Sequence, residues 1–573
     1  MRRIIKAPAM ARDDDTDGRT ADGGAAFPFA GDRRFAPVWR KFLGALGARP
    51  ERLQEHVAAQ AQLFAAIAGA GAGAEQGNGA ANGADKGGRK DRRFAHEDWE
   101  ANPFYRYLKE SYELNASLMR EVAADIELDD GERHALEFML KQLTSAMSPS
   151  NHPLTNPEVA RATVATQGEN LRRGMDNYLA DVRAGAITLS DPEAFEVGRD
   201  LAVTPGKVIA QNHLMQLIEY APTQAKTRAR PLLIVPPCIN KYYILDLSER
   251  DSFIRHLLDE GFRVFLVSWV NAGPAQRALG WDDYVAAGVI EAIETACAAS
   301  GQEKINVLGY CIGGTLLACA LAVMRANGAE RAASMSMLTA FVDFCDTGDI
   351  GLFVDKEKEF AAGGLFSGLE LQRTFGYLRP DDLVWPYVVR SYMLGEKPQP
   401  FNILHWNGDS TNLPGRMYAW YLRHTYLDND LKDGVRVCGT DIKIAGIDLP
   451  GMYVACERDH IVPWAAAYAS ARTASKQAEF VLAASGHVAG VVNPPAKGKG
   501  YYHVAPGALG ARADGWRAKA RRHEGSWWPH FAAWLKKRSG RLVAAPKPAD
   551  GWRHRAIEDA PGSYVTAPRP PTD

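Results

Sequence analysis

The amino-acid sequence predicts an α/β fold with a mostly parallel sheet and an inserted cap, preceded by an all-α domain. Short apolar runs alternate with helical stretches from Arg230 onwards, and this alternation is typical of a parallel sheet covered by helices on both faces. The segment 341–452 interrupts the alternation with aromatic residues, prolines and helical stretches, which indicates a cap. Before residue 190 the hydrophobic periodicity is helical.

The first third of the chain is predicted to be a helical domain over residues 1–190. Its polar start, residues 1–30, is predicted to be disordered. Residues 35–68 then show helical periodicity, with Val38, Trp39, Phe42 and Leu43 on one face. A Gly/Ala-rich segment at 69–88 follows and is typical of a flexible linker.

Six short segments are predicted to be strands of a catalytic domain, which covers residues 191–573 with the cap at about 343–445. They are short apolar runs bounded by turn-forming residues. The six segments are residues 231–235, 262–269, 305–308, 335–341, 452–456 and 479–482.

The third of these strands leads into the sequence Gly-Tyr-Cys-Ile-Gly-Gly at 309–314. This is the form of a nucleophile elbow, a sharp strand-to-helix turn, with Cys311 where lipases and esterases carry serine. The glycines leave room for the strained turn, and a helix N-terminus favours the thiolate form of a cysteine. A chance turn and a membrane span over the uncharged residues 305–324 are the alternatives, and the glycines argue against the span.

A catalytic acid and a histidine are expected later in the chain, each directly after a strand. Asp459 follows the strand predicted at 452–456, and His487 follows the last predicted strand. These two residues are therefore the predicted acid and base, while Glu457 and His460 remain alternatives for the two roles.

The oxyanion formed during acyl transfer needs two hydrogen-bond donors. The N–H of Ile312, directly after the nucleophile, is predicted to be the first, and the loop after the strand at 231–235 supplies the second. Ile239 and Cys238 are both candidates for that second donor, since Pro237 has no N–H. Cys238 is otherwise predicted to be a small buried residue.

Composition argues against several other classes of protein. The chain has 573 residues, of which 67 are basic and 68 acidic, so no global field attracts nucleic acid. Its basic N-terminus is followed by no apolar segment, so secretion is not expected. We expect a cytoplasmic location instead. Seven cysteines without CxxC spacing suit reduced thiols, and neither a metal site nor a phosphate-binding glycine loop is predicted.

Five motifs form a specific combination: Pro-Pro-Cys-Ile-Asn-Lys-Tyr-Tyr-Ile-Leu-Asp-Leu at 236–247, the elbow at 309–314, Trp-Asn-Gly-Asp-Ser-Thr-Asn-Leu-Pro at 406–414, Asp-His-Ile-Val-Pro-Trp at 459–464 and Ser-Gly-His at 485–487. Together they resemble the poly(3-hydroxyalkanoate) synthases. The resemblance extends to 102–105 and 148–151 and so covers most of the chain from about residue 90. The long N-terminal domain is similar to that of the class I form, and the segment 69–88 looks like an insertion.

The resemblance implies an α/β-hydrolase fold in which Cys311 takes the acyl group of (R)-3-hydroxyacyl-CoA as a thioester. His487 is implied as the general base, and Asp459 as the residue that orients it or helps it deprotonate the attacking hydroxyl. That hydroxyl belongs to a second hydroxyacyl unit, so a polyester grows and CoA leaves. The family further implies 3-hydroxybutyryl-CoA as substrate, no cofactor, a homodimer and association with polyester granules, without a membrane span.

Two other functions stay open. A cysteine α/β-hydrolase that releases a free hydroxy acid would share every predicted catalytic residue and differ only in using water as the acceptor. A granule-surface binding protein would keep the fold and lack the chemistry. Because hydrolysis competes with polymerisation at each turnover, the apolar residues of the cap are expected to keep water from the thioester.

Overall fold

The computed structural model describes residues 35–70, 91–354, 364–546 and 555–571. Contacts between Cα atoms divide the chain into two compact units, Met1–Asn151 and His152–Asp573. The polar start at 1–30 and nearly all of the linker predicted at 69–88 lie outside the described residues, so those two expectations stay predictions.

The described part of the first unit is helical, as its periodicity predicts. Its α-helices are α1 (Ala36–Gly47), α2 (Pro50–Ala70), α3 (Asp98–Ala101), α4 (Pro103–Ala124) and α5 (Asp130–Ala146). The stretch 35–68 forms two helices because Pro50 begins a new one. Val38 and Phe42 lie in a small core with residues of α4 and α5, whereas Leu43, predicted on the same face, is 49% exposed.

The second unit contains all the strands of the described chain. They are β1 (Gly206–Gln211), β2 (Met215–Tyr220), β3 (Lys226–Arg228), β4 (Leu232–Val235), β5 (Val264–Trp269), β6 (Ile305–Tyr310), β7 (Ala332–Leu338), β8 (Leu365–Phe366), β9 (Leu413–Pro414), β10 (Val435–Val437), β11 (Thr440–Ile442), β12 (Gly451–Cys456), β13 (Ala478–Ala483), β14 (Tyr501–Val504), β15 (Arg521–Glu524), β16 (Leu542–Ala544) and β17 (Glu558–Asp559).

Eleven of these strands form one sheet in the order β15-β14-β13-β12-β7-β6-β4-β5-β2-β1-β17. The six central strands, from β13 to β5, are parallel, and the strands at both edges are antiparallel. The six predicted strands are these central ones. Their burial on both faces gives the continuous apolar runs seen in the sequence.

The helices of the second unit are α6 (Pro157–Ala165), α7 (Glu169–Ala184), α8 (Phe253–Asp259), α9 (Trp281–Asp283), α10 (Glu291–Ser300), α11 (Ile312–Ala326), α12 (Gly368–Leu378), α13 (Pro380–Leu383), α14 (Trp385–Tyr387), α15 (Asn402–Gly408), α16 (Gly415–Leu422), α17 (Trp464–Ala474), α18 (Ala513–Arg517), α19 (Trp528–Lys536) and α20 (Ser563–Thr566). The uncharged stretch 305–324 is divided between β6 and α11. In the described chain, no helix has the length and apolar character needed to cross a membrane.

The segment predicted as a cap connects β7 to its neighbour β12 in the sheet. It holds α12 to α16, two short strand pairs and π-helical turns at Val388–Met393 and Arg423–Leu427. Because β7 and β12 are parallel and adjacent, the chain leaves the sheet at its carboxyl edge after β7 and returns to the amino edge to begin β12. The carboxyl end of β7 therefore leads directly into the cap.

Helices α6 and α7 belong to the second unit, so the units divide before residue 152 rather than near residue 190 as the sequence predicts. The Asn170 side chain donates a hydrogen bond of 2.8 Å to the Met393 carbonyl in the cap. A Cβ added at Gly174 would lie 2.5 Å from the Tyr392 carbonyl carbon, which shows how closely α7 approaches. Helical periodicity is the same on both sides of residue 152, so local sequence does not reveal this long-range packing.

The aromatic helix α19 packs on the sheet. Trp528 and Phe531 are buried in the same core cluster as β12 and β13 residues, and Arg538 stacks over the Trp534 ring at 3.9 Å. The buried face of this helix is thus occupied within the unit.

Candidate active site

The elbow at residues 309–314 forms as predicted between β6 and α11. The strand is buried along its whole length and ends at Tyr310. Cys311 follows with φ 52° and ψ −132°, and α11 begins at the next residue, Ile312. A non-glycine residue in this positive-φ region costs about 1–3 kcal/mol, which the surrounding packing must offset, and such strain is concentrated at active sites.

Two glycines of the elbow are required by close contacts. A Cβ at Gly309 would lie 2.8 Å from the Gly314 nitrogen and closer still to its Cα. A Cβ at Gly313 would lie 2.5 Å from the Pro236 carbonyl oxygen and closer to that of Val235. The start of α11 therefore lies directly against the end of β4 and the loop that follows it.

Asp459 and His487 meet although 28 residues separate them in the chain. Asp459 follows β12 and His487 follows β13, and these strands are parallel neighbours, so both loops leave the same edge of the sheet. The His487 Nδ1 and Asp459 Oδ2 atoms are 2.7 Å apart. The other carboxylate oxygen accepts the N–H groups of Ile461 and Val462, both at 2.9 Å, so the carboxylate is held in one orientation.

The Cys311 side chain lies beside His487, and the Tyr310 ring stacks on the His487 imidazole at 5.8 Å. Burial by itself would lower the pKa of His487, but the Asp459 carboxylate and the Cys311 sulfur outweigh it and raise the pKa to about 10. A raised pKa makes His487 a strong proton acceptor. The three residues form one continuous chain of contacts from sulfur to carboxylate.

The alternatives for the acid and base lie elsewhere. Glu457 accepts a hydrogen bond of 2.5 Å from the Tyr501 hydroxyl and one of 3.2 Å from Arg517. The histidine bonded to Asp459 is His487, whereas His460 lies on the Asp459 loop. The geometry thus favours Asp459 over Glu457 and His487 over His460.

The loop after β4 carries the candidates for the second oxyanion donor. Its Pro236 carbonyl accepts the Trp269 indole N–H at 2.9 Å, and the Ile239 carbonyl accepts the Thr411 N–H at 3.1 Å. Ile312, the predicted first donor, begins a helix whose first N–H groups have no partner inside the helix. Cys238 is only 3% exposed. Its burial raises the pKa of its thiol above the usual range, and the nearby Cys311 raises that pKa further. Its surroundings fit a buried core residue.

Three tyrosines lie near Cys311, and the sequence patterns do not predict them there. Tyr310 contacts His487 as described, and Tyr421 and Tyr426 come from the cap at α16 and the π-helical turn that follows it. Burial raises the pKa of Tyr426, and proximity to Cys311 raises it further. A π-helical turn places side chains in a register that helical periodicity does not predict, so only the residue directly before the nucleophile, Tyr310, carried a local signal.

No group of three or more His, Cys, Asp or Glu residues in the described ranges could hold a metal ion. All seven cysteines are free thiols. A cavity of about 360 Å³ lies in the cap between Tyr387 and Phe401, and none of the three residues of the contact chain lines it.

A strained cysteine after β6, an aspartate after β12 and a histidine after β13 on a mostly parallel sheet define an α/β-hydrolase fold. The family model described as "alpha/beta hydrolase fold" matches residues 231–494. The model described as "Poly-beta-hydroxybutyrate polymerase (PhaC) N-terminus" matches residues 90–257.

Three relatives narrow the assignment. The chain is 49% identical over 490 residues to the poly(3-hydroxyalkanoate) polymerase subunit PhaC of Cupriavidus necator, covering 83% of each chain. It is 42% identical to the protein of that name from Rhizobium etli, over 83% of this chain and 77% of the relative. It is 40% identical to the poly(3-hydroxyalkanoate) polymerase of Methylorubrum extorquens, over 83% of this chain and 80% of the relative. The chain belongs to the poly(3-hydroxyalkanoate) polymerase family.

Proposed function

We propose that this chain polymerises (R)-3-hydroxyacyl-CoA into a polyester with release of CoA, and that Cys311 carries the acyl group as a thioester. The observation that supports this proposal is the contact chain from Cys311 through His487 to the buried Asp459, found in a member of the polymerase family. A nucleophile, a base and a residue that orients the base are the three parts of a catalytic triad.

In the first half-reaction His487 accepts the Cys311 thiol proton at Nε2, the ring nitrogen that does not face Asp459. The sulfur attacks the carbonyl carbon of the acyl-CoA thioester, and the carbon–sulfur bond to CoA breaks. The CoA sulfur takes the proton back from His487 and leaves as a thiol. Asp459 stabilises the imidazolium between these two transfers and fixes the tautomer that keeps Nε2 free.

In the second half-reaction the hydroxyl of another hydroxyacyl unit gives its proton to His487 and attacks the Cys311 thioester. An ester carbon–oxygen bond forms, the bond to sulfur breaks, and the sulfur recovers the proton. Transfer from one thiol to another is nearly neutral in free energy, while transfer to oxygen is downhill, so a cysteine preserves the activation of the acyl group until the chain grows.

The developing negative charge on the carbonyl oxygen needs two fixed donors. We assign these to the backbone N–H groups of Ile312 and Ile239, because the loop after β4 lies directly against the start of α11. Tyr426 and its neighbours in the cap limit the access of water to the thioester, which favours polymerisation over hydrolysis.

The finer assignments follow from the resemblance of the long N-terminal domain to the class I form. We propose 3-hydroxybutyryl-CoA as the substrate, a homodimer as the assembly, and the cytoplasm and the surface of polyester granules as the location. We propose no cofactor, since both half-reactions balance with acyl-CoA and the protein's own groups.

The test is an incubation with (R)-3-hydroxybutyryl-CoA that follows free thiol and the size of the acyl product together. Wild type is compared with Cys311→Ala and with Cys438→Ala, which removes a thiol from the β10–β11 hairpin. We expect thiol and insoluble high-mass polyester from wild type and Cys438→Ala, and neither from Cys311→Ala. Thiol with free 3-hydroxybutyrate would identify the hydrolase instead, and thiol release by Cys311→Ala would refute the role of that residue.

A further inference from the structure

The segment 555–571 crosses the catalytic unit and is anchored well before its last residues. Its strand β17 pairs with the sheet edge at β1, and Val565 is 1% exposed in the core. The Pro561 carbonyl accepts a hydrogen bond of 3.3 Å from the Tyr242 hydroxyl. The path beyond Val565 is therefore set independently of the contacts made by the residues that follow.

Beyond this anchor, Arg569 reaches the part of the cap between α15 and α16. Its Nη2 donates to the Gly408 carbonyl at 3.2 Å and to the Ser410 hydroxyl at 3.0 Å. Its Nε donates to the Ser410 carbonyl at 3.3 Å. The next residue, Pro570, accepts the Asn412 side-chain amide at 3.1 Å. One guanidinium thus binds three acceptors on two cap residues.

The same part of the cap holds the loop after β4. The Thr411 N–H donates to the Ile239 carbonyl at 3.1 Å, and its hydroxyl donates to the Cys238 carbonyl at 2.5 Å. Asn240 and Ser410 pair as an antiparallel bridge. Thr411 is 2% exposed, so water does not compete for these bonds. The loop that carries the proposed second oxyanion donor is thus fixed from the cap side by Ser410, which Arg569 binds, and by the adjacent Thr411.

A second connection joins the same three segments. The Lys241 ammonium lies 3.1 Å from the Asp409 carboxylate and donates to the Ala567 carbonyl at 3.3 Å. The Tyr243 hydroxyl donates to Asp409 at 3.0 Å. The loop after β4, the cap and the segment 555–571 therefore form one network of hydrogen bonds beside the elbow.

We propose that Arg569 is a positioning residue for acyl transfer, because it fixes cap residues 408–411 and so holds the N–H of Ile239 in line with the N–H of Ile312. This inference rests on the proposed function, in which those two groups bind the oxyanion. Oxyanion donors act only when they are placed to within a fraction of an ångström. The planar guanidinium of an arginine, with its several N–H donors, fixes its acceptors more tightly than the ammonium of a lysine does.

The experiment compares Arg569→Ala with Arg555→Ala, which removes an exposed arginine from the same segment. The turnover number is expressed per Cys311 site that reacts with iodoacetamide, so that misfolded protein is not counted. We expect Arg569→Ala to lower kcat about 10-fold, with KM changed less than about 2-fold and a melting temperature close to that of Arg555→Ala. Arg569→Lys should recover only part of kcat, since it keeps the charge and loses the fork.

Thr411→Val tests whether the effect passes through the loop. It removes the hydroxyl that binds the Cys238 carbonyl, so the double variant with Arg569→Ala should be no slower than the slower single variant. If the two substitutions lower kcat by factors that multiply in the double variant, the proposed route from Arg569 through Thr411 to the loop would be overturned. An unchanged kcat per site in Arg569→Ala, or an equal loss in Arg555→Ala, would overturn the positioning role itself.

These outcomes are separate from a failure of the proposed function. Polymerisation and hydrolysis both pass through the same oxyanion, so the comparison of kcat values holds for whichever product the wild type forms. A wild type that forms free acid refutes the polymerase and leaves the positioning test intact. If wild type releases no CoA thiol, the proposed function fails and the positioning role fails with it.

Discussion

Gly313→Ala is the substitution that most directly tests the geometry of the elbow. The added Cβ would lie 2.5 Å from the Pro236 carbonyl oxygen, a distance that real Cβ atoms essentially never show. The neighbouring atoms belong to the backbone, so no side chain can rotate away. Either α11 or the end of β4 with its following loop must retreat by about 0.5 Å to bring the Pro236 oxygen to 3.0 Å, and by about 0.9 Å to bring it to ordinary contact at 3.4 Å. The Val235 oxygen is closer still, so these displacements are lower bounds.

The two proposed oxyanion donors lie on the two elements that are forced apart, and a misplacement near 1 Å costs about 100-fold in rate. Overpacking of a buried site adds about 1–3 kcal/mol of destabilisation. We therefore expect Gly313→Ala to acylate Cys311 about 100-fold more slowly and to unfold at lower denaturant concentration than wild type.

The assay is single-turnover acylation by (R)-3-hydroxybutyryl-CoA, read by intact-protein mass, beside urea unfolding. Gly515→Ala is the matched control, because Gly515 also lies in a helix and an added Cβ there meets nothing within 4 Å. It should acylate at the wild-type rate and be as stable as wild type or slightly more so. Wild-type acylation together with wild-type stability in Gly313→Ala would show that this close contact does not position the two donors.

Three further predictions concern charge and chemistry. Asp459→Asn keeps the shape of the side chain and removes the negative charge that raises the pKa of His487. The pKa of His487 should therefore fall, and kcat should drop by about 10³-fold or more. A pH–rate profile that matches wild type would contradict this prediction. Cys311→Ser should accumulate an acyl-enzyme oxoester, visible by mass, with polymer formation nearly abolished, because the downhill step is used before the chain grows; rapid polymerisation by this variant would argue against a thioester. Burial raises the pKa of Glu219 to about 7 despite its ion pair with Arg263, so folded protein keeps a proton that unfolded protein releases above about pH 4.5. The free energy of unfolding of wild type should accordingly fall by up to about 3 kcal/mol between about pH 4.5 and pH 7, relative to that of Glu219→Gln. Urea unfolding at several pH values measures this difference, and parallel profiles for the two proteins would exclude a raised pKa at Glu219.

The central sheet and the order of the candidate site could be predicted from the sequence because each depends on local patterns. Buried parallel strands give unbroken apolar runs, and the elbow needs its glycines within a few residues of Cys311. The positions of Asp459 and His487 follow from parallel neighbours whose loops leave the same edge.

Other features depend on contacts between distant segments and had weaker local signals. The hairpin β1–β2 was missed, although Asn212 in its turn accepts the N–H groups of Leu214 and Met215 and is a recognisable hairpin residue. The membership of α7 in the second unit and the reach of Arg569 to the cap have no counterpart in periodicity. Such contacts are decided by the packing of whole elements.

The two outer strands of the sheet limit how copies of this chain meet. β15, from Arg521 to Glu524, is exposed along its length and carries charged side chains, and β17 is only two acidic residues long. Long, apolar open edges invite strand addition by other chains, and short or charged ones discourage it. Crowding at a polymer surface would raise the local protein concentration greatly, and these edges oppose irreversible β-aggregation there. The outer strands therefore disfavour association of copies by strand addition.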